Sequence, residues 1–216
     1  MAMDAEWGLA MRLDSTYAYP WNMTMGAIKD NALIEYAGKR IGAHCKALGM
    51  QFNFAPDIDI NTNAQNPIIG NRSFGEDKEN VAQKGLAFTR GMQSVGVLGS
   101  AKHFPGHGDT AKDSHKTLPT INFTASRLNE VELYPFRILS KEVASVMVGH
   151  LNVPSLEPKQ GLPSSLSKAI ITDLLKTKMH CQGLIFTDAL GMKGVSEYLP
   201  VGEVEVEAFL AGNDIL

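Results

Sequence analysis

Cysteine is scarce in this chain: Cys45 and Cys181 are the two among 216 residues. They supply neither a disulfide framework nor the ligands of a zinc cluster. Long apolar runs are missing too, and none approaches the roughly 20 residues needed to span a bilayer. No signal-peptide pattern is visible, because Asp4 and Glu6 fall where an apolar core should lie. Charge of one sign is not in excess. Lys and Arg number 20 against 23 Asp and Glu, and a net charge of -3 argues against a general nucleic-acid or anionic-membrane binder. Linker-like stretches, charge blocks and low-complexity segments are absent, so one domain over residues 1–216 is expected. With 44% hydrophobic residues that domain can bury a sizeable core.

What is present is a rhythm of short apolar run, polar loop and helical pattern. The runs cover 1–4, 51–57, 97–103, 145–151, 183–188 and 213–216. Between them, Ile34, Ala37, Ile41, Cys45 and Leu48 step by three or four, as one buried helix face does. Val81, Gly85, Phe88 and Met92 repeat the pattern behind Asp77 as N-cap; so do Leu166, Ile170, Leu174 and Leu175 behind Ser165 or Ser167. Residues 203–210 are read as helix, although Val204 and Val206 alternate as in a strand.

Apolar strands alternating with amphipathic helices predict an α/β fold with a parallel sheet. Five of the six runs end in polar groups: Asp4, Asp57, the pair Lys102 and His103, His150, and Asp188. Buried singly, such groups would cost several kcal/mol each. Gathered at the C-terminal rim of a (β/α)8 TIM-type barrel they form a site. A doubly wound sheet would instead carry a glycine-rich phosphate loop after its first strand, and none is present. Six runs fall short of eight, so the barrel is expected to be incomplete.

The densest group of reactive side chains lies in 102–119, KHFPGHGDTAKDSHKTLP. It holds His103, His107, His115, Asp109, Asp113, Lys102 and Lys116, with Gly106 and Gly108 allowing an irregular loop. Asp113 and His115, two apart, can hydrogen-bond, and a carboxylate beside an imidazole suits it to general acid–base work. A metal site on His103, His107, Asp109 and His115 is disfavoured, because their spacing is not that of a helical zinc motif. No cofactor is expected. Asp188 closes the apolar run GLIFTD, where a carboxylate serves as catalytic group, metal ligand, ion-pair partner or helix cap. Trp7 sits among Asp4, Glu6 and Arg12, and a tryptophan with polar neighbours suits a sugar face.

These residues fall within ordered motifs: DAEWG (4–8), APDIDI (55–60), GNRSFGED (70–77), AKHFPGHGDT (101–110) with DSH (113–115), VMVGHLNVP (146–154), GLIFTDAL (183–190) and AGNDIL (211–216). Together they resemble glycoside hydrolase family 3, bacterial β-N-acetylglucosaminidase branch. The resemblance implies a retaining exo-β-N-acetylglucosaminidase that removes terminal β-linked N-acetylglucosamine, with peptidoglycan fragments as one source. Asp188 would be the nucleophile, and His115, with Asp113 beside it, the acid and then the base. Asp4, Arg12, Arg72, Lys102 and His103 would hold the sugar through its hydroxyls. A β-glucosidase, a glycoside phosphorylase and an inactive sugar-binding remnant are the alternatives. The branch implies a bacterial cytoplasmic or periplasmic setting.

Two departures stand out. Trp7 occupies the place of a glycine in the better-known members. Family members also carry two further barrel strands before the segment matching 1–4, so the resemblance implies an open barrel with six strands here. Open edges favour pairing with a second copy, so a homo-oligomer is a possible partner arrangement alongside the carbohydrate substrate.

Overall fold

The computed structural model describes residues 1–110, 117–200 and 202–216. Five short strands form one sheet: β1 (Ala2–Met3), β2 (Phe52–Asn53), β3 (Leu98–Phe104), β4 (Ser145–Val148) and β5 (Leu184–Thr187). All neighbours are parallel, and the spatial order β1-β2-β3-β4-β5 follows the chain. A doubly wound sheet reverses its order partway; this one never does. The sheet also curls. Phe52 of β2 and Phe54 just beyond it meet Phe186 of β5 at ring-centroid distances of 5.3 and 5.4 Å. Three strand spacings would separate β2 from β5 by about 14 Å in a flat sheet. The result is a half-barrel with β2 and β5 facing one another across its mouth.

The expected sixth strand is not formed. Residues 213–216 meet β5 through one isolated bridge between Phe186 and Ile215: Thr187 N–H donates to Ile215 C=O at 3.0 Å, and the N–H groups of Asp214 and Ile215 donate to Ile185 C=O at 2.8 and 3.1 Å. Gly212 adopts a left-handed conformation (φ +113°), and the Asn213 side chain is turned inward to the carbonyls of Ser165 and Ala208. The architecture is therefore a five-stranded half-barrel rather than a six-stranded one.

Helices cover the outside: α1 (Asn22–Gly26), α2 (Asn31–Ala47), α3 (Lys78–Gln93), α4 (Ala125–Glu130), α5 (Tyr134–Leu139), α6 (Lys193–Ser196) and α7 (Glu203–Ala211). Asp30 caps α2 by accepting Ala32 N–H, and Asp77 caps α3 by accepting Asn80 N–H at 2.7 Å. On α3 the whole anticipated face, Val81, Gly85, Phe88 and Met92, is buried. On α2 Ile34, Ile41 and Cys45 are buried, but Leu48 is exposed and Met50 is buried instead. The helix ends at Ala47, and Gly49 (φ +74°) turns the chain so that Met50 points inward. A side chain at Gly91 would place its Cβ 1.9 Å from the Glu35 carbonyl oxygen, so α2 and α3 touch backbone to backbone. Ala169–Lys178 winds as a wider π-type helix, with Ser167 Oγ accepting Ile170 N–H. Residues 203–210 are helical, as read, within α7. Among the described residues no helix is long and apolar enough to cross a membrane.

Candidate active site

Each strand of a curled parallel sheet delivers its C-terminal end to the same rim, and here the ends converge on a cavity of about 640 Å³. Asp4, Arg12, Arg72, Lys102, His103 and Asp188 all line it. Asp113 and His115 lie outside the described residues. Asp109 is described; its Oδ1 accepts from Thr62 Oγ1 at 3.1 Å.

Two cations, the buried Lys102 and the partly buried Arg72, organise the floor. Lys102, at the end of β3, donates to Asp4 Oδ1 at 2.8 Å and forms a 2.8 Å ion pair with Glu6 Oε1. Arg72 grips the same Glu6 with Nε at 3.0 Å and Nη2 at 2.8 Å, and its Nη2 lies 3.6 Å from Asp57 Oδ2. Glu6 is wholly buried. Burial alone would raise its pKa, but Lys102 and Arg72 outweigh burial and keep it well below the ordinary range. Asp4 obeys the same balance: burial opposes ionisation, Lys102 and Arg12 overcome it, and the pKa falls to about 2. Arg12 Nη2 reaches Asp4 Oδ2 at 2.5 Å from the exposed side.

A second layer surrounds His103, whose peptide bond to Lys102 is cis. Its Nε2 lies 3.3 Å from Arg72 Nη2, and a guanidinium can only donate, so Nε2 accepts. Nδ1–H then donates to Asp59 Oδ2 at 2.7 Å. Burial and the neighbouring Arg72 push the His103 pKa down to about 4, so this ring is neutral near pH 7. Asp59 also accepts the backbone N–H groups of His103 and His107, at 3.2 and 2.6 Å. His107 is likewise shifted to about 4, by burial and by His103. Asp57 moves the other way: burial and the adjacent Asp59 raise it to about 8. Ligand atoms of Asp57, Asp59 and His103 lie within 4.8 Å of one another, close enough to hold a cation. Asp59 and His103 already spend those atoms on each other, however, and only Asp57 Oδ2 lacks a hydrogen bond.

Asp188 stands at the end of β5, its N–H bonded to Val148 C=O and its Oδ1 accepting Ala189 N–H at 2.8 Å. It caps no helix, since α6 begins only at Lys193. Burial would raise its pKa, but His103, His150, the Ala189 N–H and Lys102 together lower it, which keeps the carboxylate ionised. His150, at the end of β4, is bonded from both ring nitrogens: Nε2–H donates to Ala189 C=O at 3.1 Å, and Nδ1 meets Ser165 Oγ at 2.7 Å. The segment carrying Asp188 is thereby tied to β4.

Sequence reasoning left Glu6 and Asp59 without a role. The signal was their spacing: Glu6 follows Asp4, and Asp59 follows Asp57, by two residues, which puts each pair on one side of an extended chain. Both cysteines are buried thiols, and burial raises Cys45 to about 11, so neither is a nucleophile of this rim.

Comparison with known proteins places this rim in a lineage. Beta-hexosaminidase A of Pseudoalteromonas piscicida is 36% identical across all of this chain, which matches 39% of that protein. A beta-hexosaminidase of Neisseria meningitidis serogroup C is 34% identical, again across the whole chain and over 61% of its own length. The chain thus spans less than two thirds of the length of these relatives. A family 3 beta-N-acetylglucosaminidase from Paenibacillus sp. str. FPU-7 superposes with a TM-score of 0.95 at 42% identity, over 99% of this chain and 41% of that one. The model of the Glycosyl hydrolase family 3 N terminal domain matches residues 1–216 without remainder, and the chain belongs to that family.

Proposed function

We propose that this chain forms the sugar-binding and nucleophile-bearing half of a retaining exo-β-N-acetylglucosaminidase. The observation that carries the reading is the position of Asp188: an ionised carboxylate in the same cavity as Asp4, Arg12, Arg72, Lys102 and His103. The names of the similar proteins support the substrate class.

In the first step an Asp188 oxygen attacks the anomeric carbon, forming a C–O bond as the bond to the leaving oxygen breaks. His115, assisted by Asp113, gives its proton to that oxygen. In the second step water attacks the anomeric carbon, passes a proton to His115 and frees Asp188, so the configuration is retained. An imidazole with an ordinary pKa of about 6.5 can give and take a proton near neutral pH. Lys102, Arg72 and Arg12 offer charged donors to hydroxyls, and Asp4 is an acceptor; such bonds are about twice as strong as neutral ones.

The test is hydrolysis of an aryl β-N-acetylglucosaminide by the 216-residue chain and by Asp188→Asn. Turnover lost in the variant supports the assignment. His115→Ala should retain activity on the activated aryl substrate, where the leaving group needs no proton, and equal loss in both variants would overturn the division of roles. Sugar 1-phosphate formed on adding phosphate would replace hydrolysis with phosphorolysis. Absence of turnover in the unmodified chain would leave a sugar-binding remnant.

A further inference from the structure

The chain's two tryptophans are far apart in sequence and in contact in space. Trp7 follows β1 and Trp21 immediately precedes α1, yet their ring centroids are 4.1 Å apart with planes inclined at 48°. Two large rings are ordinarily drawn into the core. These are not: Trp7 is half-buried and Trp21 is 44% exposed. Together they wall a second cavity of about 220 Å³, and Ile68 and Arg72 belong to both this cavity and the main one. The two spaces are neighbours that share Ile68 and Arg72 as a common wall.

The wall is held in place. Trp7 C=O accepts Tyr19 N–H at 3.0 Å, and Trp21 C=O accepts Met25 N–H at 3.0 Å. Asn22, next to Trp21, donates from its side chain to the Arg72 carbonyl at 2.7 Å. Arg72 and the start of α1 therefore keep a fixed relation. An exposed, preorganised indole pair on a mainly apolar cavity edged by Asn71 and Arg72 suits a ligand that is apolar on its faces and polar at its edge. A pyranose is such a ligand, with axial C–H groups for the rings and equatorial hydroxyls for the polar edge formed by Asn71 and Arg72. The space is smaller than a typical pocket for a drug-sized ligand, which limits it to a single ring.

We propose that Trp7 and Trp21 form a second saccharide subsite, which stacks the sugar ring adjacent to the one held in the main cavity. The identity of that first ring rests on the glycosidase reading. The site would make the protein select a β-linked disaccharide over a monosaccharide.

Binding is measured in the Asp188→Asn chain, which should not consume the ligand, by calorimetry with N-acetylglucosamine and with its β-1,4-linked disaccharide. Because no other tryptophan exists, intrinsic tryptophan emission reports on this wall alone. The disaccharide should bind about tenfold more tightly than the monosaccharide and should shift the emission. Trp7→Ala and Trp21→Ala should each remove that advantage while monosaccharide affinity stays within about twofold, which also shows the fold intact. Trp21→Phe should keep most of it. Equal affinity for both sugars, an advantage that survives both alanine variants, or unchanged emission would each overturn the subsite. If aryl glycoside turnover persists in the unmodified chain, those results overturn the subsite and leave the glycosidase standing. If neither sugar binds and no turnover occurs, both fall.

Discussion

Replacing Glu6 with glutamine tests whether the floor of the cavity is held by charge. Glu6 is fully buried and faces three charged donors: Arg72 Nε and Nη2 at 3.0 and 2.8 Å, and Lys102 Nζ at 2.8 Å. Glutamine preserves the shape, removes the negative charge and turns an amide donor toward a cation. Removing one member of a buried ion pair costs about 3–5 kcal/mol. Here the lower end applies, because Lys102 keeps Asp4 at 2.8 Å. About 3 kcal/mol corresponds to a fall in Tm of roughly 6–12 °C for a chain of this size. Arg90 and Glu142 provide the control, with equally short contacts of 3.1 and 2.7 Å between exposed side chains. Glu142→Gln should cost no more than about 1 kcal/mol, and less in high salt. Thermal unfolding by circular dichroism at pH 7, with urea titrations alongside, measures both. The Glu6 effect also has a defined pH dependence. Its folded pKa is depressed, so its stabilisation is complete above the ordinary carboxylate value of 4.5 and is lost as pH falls further. The gap between Glu6→Gln and the unmodified chain should therefore narrow below pH 4.5. A Tm change of about 2 °C or less at pH 7, comparable to that of Glu142→Gln, would refute the argument.

Asp57 should show the opposite pH dependence. Its folded pKa is raised from 3.8 to about 8, so its contribution is present below pH 4 and is lost as pH rises to 8. Asp57→Asn does not titrate and should gain stability relative to the unmodified chain across that window, by up to several kcal/mol at about 1.4 per pH unit; parallel stability curves would contradict this. Gly91→Ala should destabilise the fold despite a helix-propensity gain of about 1 kcal/mol, because the new Cβ would sit 1.9 Å from the Glu35 carbonyl oxygen and force α2 from α3. Urea unfolding should show a net loss of at least about 1 kcal/mol; a neutral result would mean that the two helices separate freely.

Much of the fold was legible because strand and helix periods differ, and α3 follows its pattern from the Asp77 cap to Met92. The failures were local. Leu48 continued the α2 rhythm on paper, but Gly49 had already turned the chain. The run 213–216 was apolar enough for a strand, but nothing in its composition showed that Asn213 would turn its side chain to the carbonyls of Ser165 and Ala208. The curl of the sheet was inferred from polar strand ends; its direct mark, Phe52 against Phe186, joins residues with no local relation.

At the site, legibility depended on anomaly. A carboxylate at the end of an apolar run, such as Asp188, is out of place and attracts attention; Glu6 and Asp59 sit among other polar residues and do not. Their roles arise from partners 66 residues away for Glu6 and Arg72, and 44 for Asp59 and His103. Those contacts also determine the charge of the rim. Asp4 and Glu6 stay ionised against Lys102 and Arg72, while burial keeps His103 and His107 neutral at pH 7. Lys102, Arg72 and Arg12 thus face Asp4 and Glu6, and Asp188 adds a further carboxylate to the rim. In the proposed reaction it is this carboxylate that attacks the anomeric carbon, and the layer beneath it holds the sugar without competing for a proton.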